Sequence, residues 1–239
     1  MVRTALILIW IPAVLILAGP FLLLYAALSR DSHPMYVTAR FTIRAAFWIS
    51  GIRIDVEGDT AALRSRNFIF MANHVSNIDP PVCFACIPHD IKVIFKKELL
   101  KLPILSTALS LARCIPVDRA DSDAARAAID RAIEQAKGGD SFLIYPEGTR
   151  SRDGTLGEFK GGGFVLAIIS QVPVVPITLI GTREIQPKGQ RRLKSGCVRI
   201  VFHPAVAPPP QAEDKDSFRE AVRQAIDSRL MKGAPPPPS

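Results

Sequence analysis

NFIFMANHVSNIDPPVC, residues 67–83, runs from an unbroken apolar stretch into a polar turn and then into a proline-led segment. Phe68 to Ala72 has the length and composition of a buried strand. Ser76, Asn77 and Asp79 are turn formers, and Asp79 before Pro80 reads as an N-cap followed by proline at the first helical position. The stretch also carries His74 five positions before Asp79. On an α-helix that step turns about 500°, leaving the side chains about 140° apart, and on a strand an odd step puts them on opposite faces. They can meet only if the segment is a turn. A strand, a turn bearing His and Asp, and a helix start make one unit of an α/β sheet with a candidate active-site loop at its end.

The rest of the chain repeats that rhythm. IRIDVEG (52–58) alternates like a strand, and short apolar runs occur at 92–95, 142–145, 174–180 and 198–202. Between them SDAARAAIDRAIEQAK (122–137) is a helix stopped by Gly138 and Gly139. Strands alternating with helices predict an α/β fold: a mixed, mostly parallel sheet flanked by helices. EDKDSFREAVRQAIDSRLMK (213–232) reads as a solvent-facing amphipathic helix between PPP (208–210) and a GAPPPPS tail expected to be disordered.

The N-terminus has a different character. Thr4 to Ser29 carries no charged residue for 26 positions, and as one straight helix it would be roughly 39 Å long against the ~30 Å of a bilayer core. It is expected to be a helical membrane anchor, bent or re-entrant if Pro12 and Pro20 interrupt it. Arg3 before it and Arg30, Arg40 and Arg44 after it favour a cytoplasmic location for the downstream domain. Residues 37–51 fit an amphipathic helix, lying at the interface or packing on the anchor. The expected organisation is therefore 1–51 anchor and interfacial helix, 52–207 α/β domain, 208–239 C-terminal helix and tail.

A formal charge of +8 asks for anionic partners, and the apolar anchor, with no groove-reading motif, argues against nucleic acid. Cys83, Cys86, Cys114 and Cys197 sit among apolar neighbours and read as buried structural thiols. His74 and Asp79 lack further ligands at metal-site spacing.

A second polar segment ends another strand. In FLIYPEGTRSRDG (142–154), Gly148 lets backbone approach a ligand, Thr149 offers a hydroxyl, and Arg150 presents a fork suited to phosphate oxygens. Lys160 and three glycines come next at a helix start, a second place for an anion. ARCIPVDRA (112–120) brings Asp118 and Arg119 to the end of a short apolar run, and QVPVVPITL (171–179) is a proline-flanked strand entrance. The run KVIFKKELLK, with Lys92, Lys96, Lys97 and Lys101, is open to two readings, a contact for anionic groups or a solvated face.

Taken in order, these four segments resemble the glycerolipid acyltransferase superfamily, most closely the bacterial 1-acyl-sn-glycerol-3-phosphate acyltransferases. Asn73, His74 and Asp79 match its N-H-x-x-x-x-D block, and Pro146 to Ser151 match P-E-G-T-R-S. Ile115 to Arg119 meet the second block more loosely, and Val172 to Ile177 meet the fourth. Tyr145 stands where many members carry phenylalanine. The resemblance covers residues 52 to about 205.

It implies transfer of a fatty acyl group from acyl-CoA or acyl carrier protein, as co-substrate and without a cofactor, to the sn-2 hydroxyl of a lysophosphatidate held at the bacterial inner membrane. An unactivated hydroxyl needs a base, and neutral imidazole, with a reference pKa of ~6.5, can serve. That role falls to His74, with Asp79 fixing its tautomer. Glycerol phosphate is expected at Arg150, Thr149 and Gly148, with Lys160 nearby, Arg119 as a second clamp and Glu147 orienting the arginines. Another lysolipid acceptor, such as a lyso-ornithine lipid, or hydrolysis by a membrane-bound enzyme are the alternatives.

Overall fold

The computed structural model describes residues 2–118, 120–151, 153–187, 189–190, 192–210 and 214–230; Arg119 and the proline tail from 231 onward lie outside the described residues. Among those described, seven strands form one sheet in the order β1-β7-β6-β2-β5-β3-β4. These are β1 (Ile52–Glu57), β2 (Ile69–Ala72), β3 (Lys92–Lys96), β4 (Ile115–Val117), β5 (Phe142–Ile144), β6 (Val174–Ile180) and β7 (Gly196–Phe202). All neighbours pair parallel except β6 with β7, which gives the mixed, mostly parallel α/β sheet expected.

Side-chain alternation along the strands builds a core on each face. Phe70 and Ala72 of β2 join Val175, Ile177 and Leu179 of β6 on one face, under α3 (His33–Ser50) and α4 (Asp79–Cys86). Ile69 and Met71 join Phe142 and Phe164 on the other, under α6 (Ser122–Lys137), α7 (Gly162–Ser170) and α9 (Lys215–Leu230). β6 is buried at all seven positions, as a central strand covered on both sides must be. Its Pro176 lacks a donor where the ladder to β7 begins, while its carbonyl still accepts from His203 N at 3.0 Å.

Three expectations need correction, and one alternative left open is decided. The uncharged N-terminus is bent: α1 (Val2–Leu17) and α2 (Gly19–Ser29) meet at 42° at Ala18, just ahead of Pro20, while Pro12 is carried inside α1. Among the described residues no single helix is long and apolar enough to cross a membrane, although this bent pair passes by length and composition. The C-terminal helix is not merely solvent-facing, because Phe218, Val222 and Ile226 of α9 are buried in the second core. Lys92, placed with the basic run, is buried with its ammonium 5.2 Å from the Tyr36 ring centroid and 3.9 Å from Asp140. Asp79 is the first residue of α4 and caps none of its amides, because Pro80 and Pro81 have no N–H to offer.

α3 packs on both sides. Trp10 donates to the Thr42 carbonyl at 3.2 Å and meets Phe41 edge-on, while Arg44 donates to the Ala85 carbonyl of α4 at 2.7 Å. Arg40 is likewise engaged, by Asp90 at 2.9 Å. Two of the arginines that suggested sidedness therefore serve packing.

Gly181, which ends β6, tests how tightly this frame is drawn. Its φ is +87° and an added methyl would lie 2.4 Å from the Cys197 carbonyl oxygen, whereas Gly139, at φ +98°, would meet nothing within 4 Å. Alanine at Gly139 should cost about 1 kcal/mol for left-handed backbone, and Gly181→Ala clearly more, read as a lower thermal unfolding midpoint. Equal losses would contradict the close approach.

Candidate active site

β2, β5 and β6 run parallel in the middle of the sheet, so the loops that leave their C-terminal ends meet at one edge, where open α/β sheets place their ligand sites. Asn73 opens the first loop. Its side-chain amide donates to the Leu179 carbonyl at 3.0 Å and accepts from Leu179 N at 2.7 Å, continuing the β2–β6 ladder by one residue after the backbone has turned away. Ser76 Oγ then donates to the Gln186 carbonyl at 2.7 Å, tying the same loop to the chain beyond α8 (Thr182–Ile185).

The turn between brings the two motif residues together. His74 Nδ1 lies 2.8 Å from Asp79 Oδ2, and the same oxygen accepts from Val75 N and Ser76 N, each at 2.7 Å. Asp79 is fully buried, and His74 keeps 17% of its side chain exposed. A carboxylate oxygen taking two amide donors is an acceptor, so the imidazole proton sits on Nδ1 and the lone pair on Nε2. The site of Asp79 at the start of α4 adds the favourable end of a helix dipole.

Tyr145 stacks on the imidazole, with ring centroids 4.1 Å apart and planes 23° from parallel. Burial, then the proximity of Cys83 and Asp79, holds its phenol pKa well above 10. Cys83, fully buried, is likewise held protonated, chiefly by burial.

Glu147 takes a role that the spacing did not show. Its Oε1 accepts from His74 N at 2.7 Å and its Oε2 from Gly157 N at 2.9 Å, so the carboxylate holds the backbone of the His74 loop, where sequence reasoning had it orienting arginines. Burial raises its pKa, and the Gly157 and His74 amides pull it back. Ser151 N completes the stitch by donating to the His74 carbonyl at 2.8 Å. Gly157 is itself held from behind: Arg223 of α9 donates to the carbonyls of Gly157 at 2.5 Å and Leu156 at 3.0 Å.

The residues expected to bind phosphate gather beside this loop. Arg150 donates from Nη1 to Asn77 Oδ1, which carries its guanidinium to the dyad's own turn. Gly148 has φ +69°, and a methyl there would stand 3.1 Å from the Lys160 stem, so Lys160 lies across it. Glu147, Thr149, Ser151, Gly157 and Lys160 line an open groove of about 380 Å³. Asp118 pairs with Lys97 at 2.5 Å, which lowers its pKa, while its neighbour Arg119 lies outside the described residues. The sequence marked Ser76 and Asn77 as turn formers and Tyr145 as a replacement for phenylalanine, but it showed none of their contacts in the site.

Glu147→Gln would turn an NH2 group toward one of the two amides and leave that half-buried N–H unpaired, a loss of about 1 kcal/mol or more. Thermal unfolding should show a lower midpoint. An unchanged midpoint would remove Glu147 from the support of the loop.

Comparison with known proteins bears on the family. A family model described as Acyltransferase matches residues 53–180, more than half of the chain. A 1-acyl-sn-glycerol-3-phosphate acyltransferase of Borreliella burgdorferi is 30% identical over 199 residues, 82% of this chain and 78% of that one. Chloroplastic proteins of the same name from Brassica napus and Arabidopsis thaliana are each 33% identical across 80% and 79% of this chain, which spans about half of their length, 55% and 52%. The crystal structure of the 1-acyl-sn-glycerophosphate (LPA) acyltransferase PlsC from Thermotoga maritima superposes with a TM-score of 0.78 at 29% identity, covering 98% of both chains. On these matches the chain belongs to the acyltransferase family.

Proposed function

We propose that this protein transfers a fatty acyl group from an acyl thioester, acyl-CoA or acyl carrier protein, to the sn-2 hydroxyl of 1-acyl-sn-glycerol-3-phosphate, giving phosphatidic acid. The observation that carries the reading is the 2.8 Å bond from His74 Nδ1 to buried Asp79, which leaves Nε2 as a base. The names borne by its bacterial relative and by the Thermotoga structure support the choice of acceptor.

In the proposed step, Nε2 takes the acceptor's hydroxyl proton as the oxygen bonds to the thioester carbonyl carbon. Asp79 steadies the imidazolium that forms. When the tetrahedral oxyanion collapses, the carbon–sulfur bond breaks and the imidazolium gives its proton to the departing thiolate. Ester and free thiol balance the reaction. Direct transfer is supported by the state of the nearby nucleophiles: Cys83 is buried and protonated, and the Ser76 hydroxyl is committed to Gln186.

Arg150, Thr149 and the Gly148 backbone hold the acceptor's phosphate in this reading, with Lys160 across the groove and Arg119 as a second clamp. The bent pair α1–α2 anchors the chain in a bacterial cytoplasmic membrane, with residues 52–207 as the catalytic domain on the cytoplasmic side.

His74→Ala should lower turnover by about 10² to 10⁴-fold while lysophosphatidate binding persists; lost binding with intact chemistry would refute the base. For Arg150→Ala, the acceptor KM should rise on the order of tenfold or more, the worth of a charged hydrogen bond, and unchanged acceptor kinetics would take it out of the phosphate site. Labelled acyl-CoA offered with a panel of lysolipids should yield phosphatidic acid; free fatty acid alone would make the protein a hydrolase.

A further inference from the structure

The apolar surface of the molecule does not end with α1 and α2. After β3 the chain makes a 3-10 turn over Lys97–Lys101 and enters α5 (Pro103–Leu111). Leu99, Leu100, Leu102, Ile104 and Leu105 are all exposed, Leu102 by 52% and Ile104 by 49%. Five large aliphatic side chains within seven consecutive positions form a patch of the kind that marks an interaction surface. Lys96, Lys97 and Lys101 border it and are exposed as well. Lys96 shares its charge with Glu98 at 3.1 Å and Lys97 with Asp118 at 2.5 Å.

Two features say what covers this patch. α5 packs against α2, on which Phe21, Leu24 and Leu28 are exposed, so the patch adjoins the apolar N-terminal pair. The segment also leaves the C-terminal end of β3, which is separated from β2 by β5 alone, with all three strands parallel. At about 4.8 Å per strand, its start lies about 10 Å along the edge from the end of the strand that leads into His74.

We propose that residues 96–105 are a second bilayer contact, in which the leucines and Ile104 enter an anionic leaflet and Lys96, Lys97 and Lys101 meet its head groups. Where α1–α2 would hold the protein on the membrane, this segment sets its tilt. It lays the catalytic edge against the lipid, so that an anionic lysolipid reaches His74 without leaving the interface. The inference rests on the anchor reading of α1–α2 under the proposed function, but it can be read separately.

Leu102→Cys in the full chain, labelled with an environment-sensitive fluorophore, should be quenched about twofold or more by lipid carrying nitroxide on its acyl tail in phosphatidylcholine–phosphatidylglycerol vesicles. Unmutated protein gives the background from native thiols, and Ile16→Cys in α1 serves as the anchor control. Quenching at position 102 should weaken in Lys96→Glu/Lys101→Glu and on pure phosphatidylcholine, since each lysine near an anionic surface is worth about 1 kcal/mol. Quenching at 16 without quenching at 102 overturns the second contact and leaves the anchor standing; failure at both overturns the two together. Equal quenching on neutral and anionic vesicles overturns the head-group part. Self-quenching between labelled copies in place of lipid quenching assigns the patch to a second copy of the chain, and also overturns the proposal.

Discussion

One oxygen of Asp79 takes three donors, the imidazole of His74 and the amides of Val75 and Ser76, with the side chain wholly shut off from solvent. A buried carboxylate is tolerated only when its charge is met by such donors, and removing one partner from a buried charged pair typically costs about 3–5 kcal/mol. The turn and the dyad are thus the same object. The amides that make the loop curl are those that make the buried carboxylate tolerable, and the curl is what delivers the ring. Because Pro80 and Pro81 give Asp79 no amide ahead of it in α4, its carboxylate turns back on the loop.

Around that oxygen the site is held largely by backbone donors and acceptors gathered from distant parts of the chain. Glu147 clasps the amides of His74 and Gly157, Asn73 locks to Leu179, and Arg223 braces the carbonyls behind Gly157. These ties link the loops after β2 and β5 to each other, to β6 and to α9, so the imidazole is positioned from several elements at once. Stacking on Tyr145 then limits rotation of the ring plane. Such support is what a base needs if its lone pair is to meet a hydroxyl in a fixed direction.

Much of this was legible in the residues. Strands are announced by the alternation at 52–58 and by the apolar runs at 67–72, 92–95, 142–145, 174–180 and 198–202, and Ser122–Lys137 by its periodicity and glycine stop. β4, at Ile115–Val117, carries Pro116 at its centre, which lacks a ladder donor and masks the strand pattern. Lys92 misled because a lysine in a basic run ordinarily faces water, and only the packing of Tyr36 against β3 and the proximity of Asp140 bury it. α9 misled for the same reason in reverse: its apolar stripe of Phe218, Val222 and Ile226 is plain, but which surface receives it is a matter of long-range contact.

Sequence alone determined the alternation of strand and helix, and it determined that His74 and Asp79 could meet only across a turn, because steric limits on the backbone act locally and the five-residue spacing rules out regular structure. Tertiary structure decided what the turn is for. Glu147 lies 73 positions from His74 and Leu179 lies 106 from Asn73, and no local rule links residues that far apart. Their pairing exists because β2 is flanked by β5 and β6, and burial of both sheet faces, a property of the whole chain, sets that order.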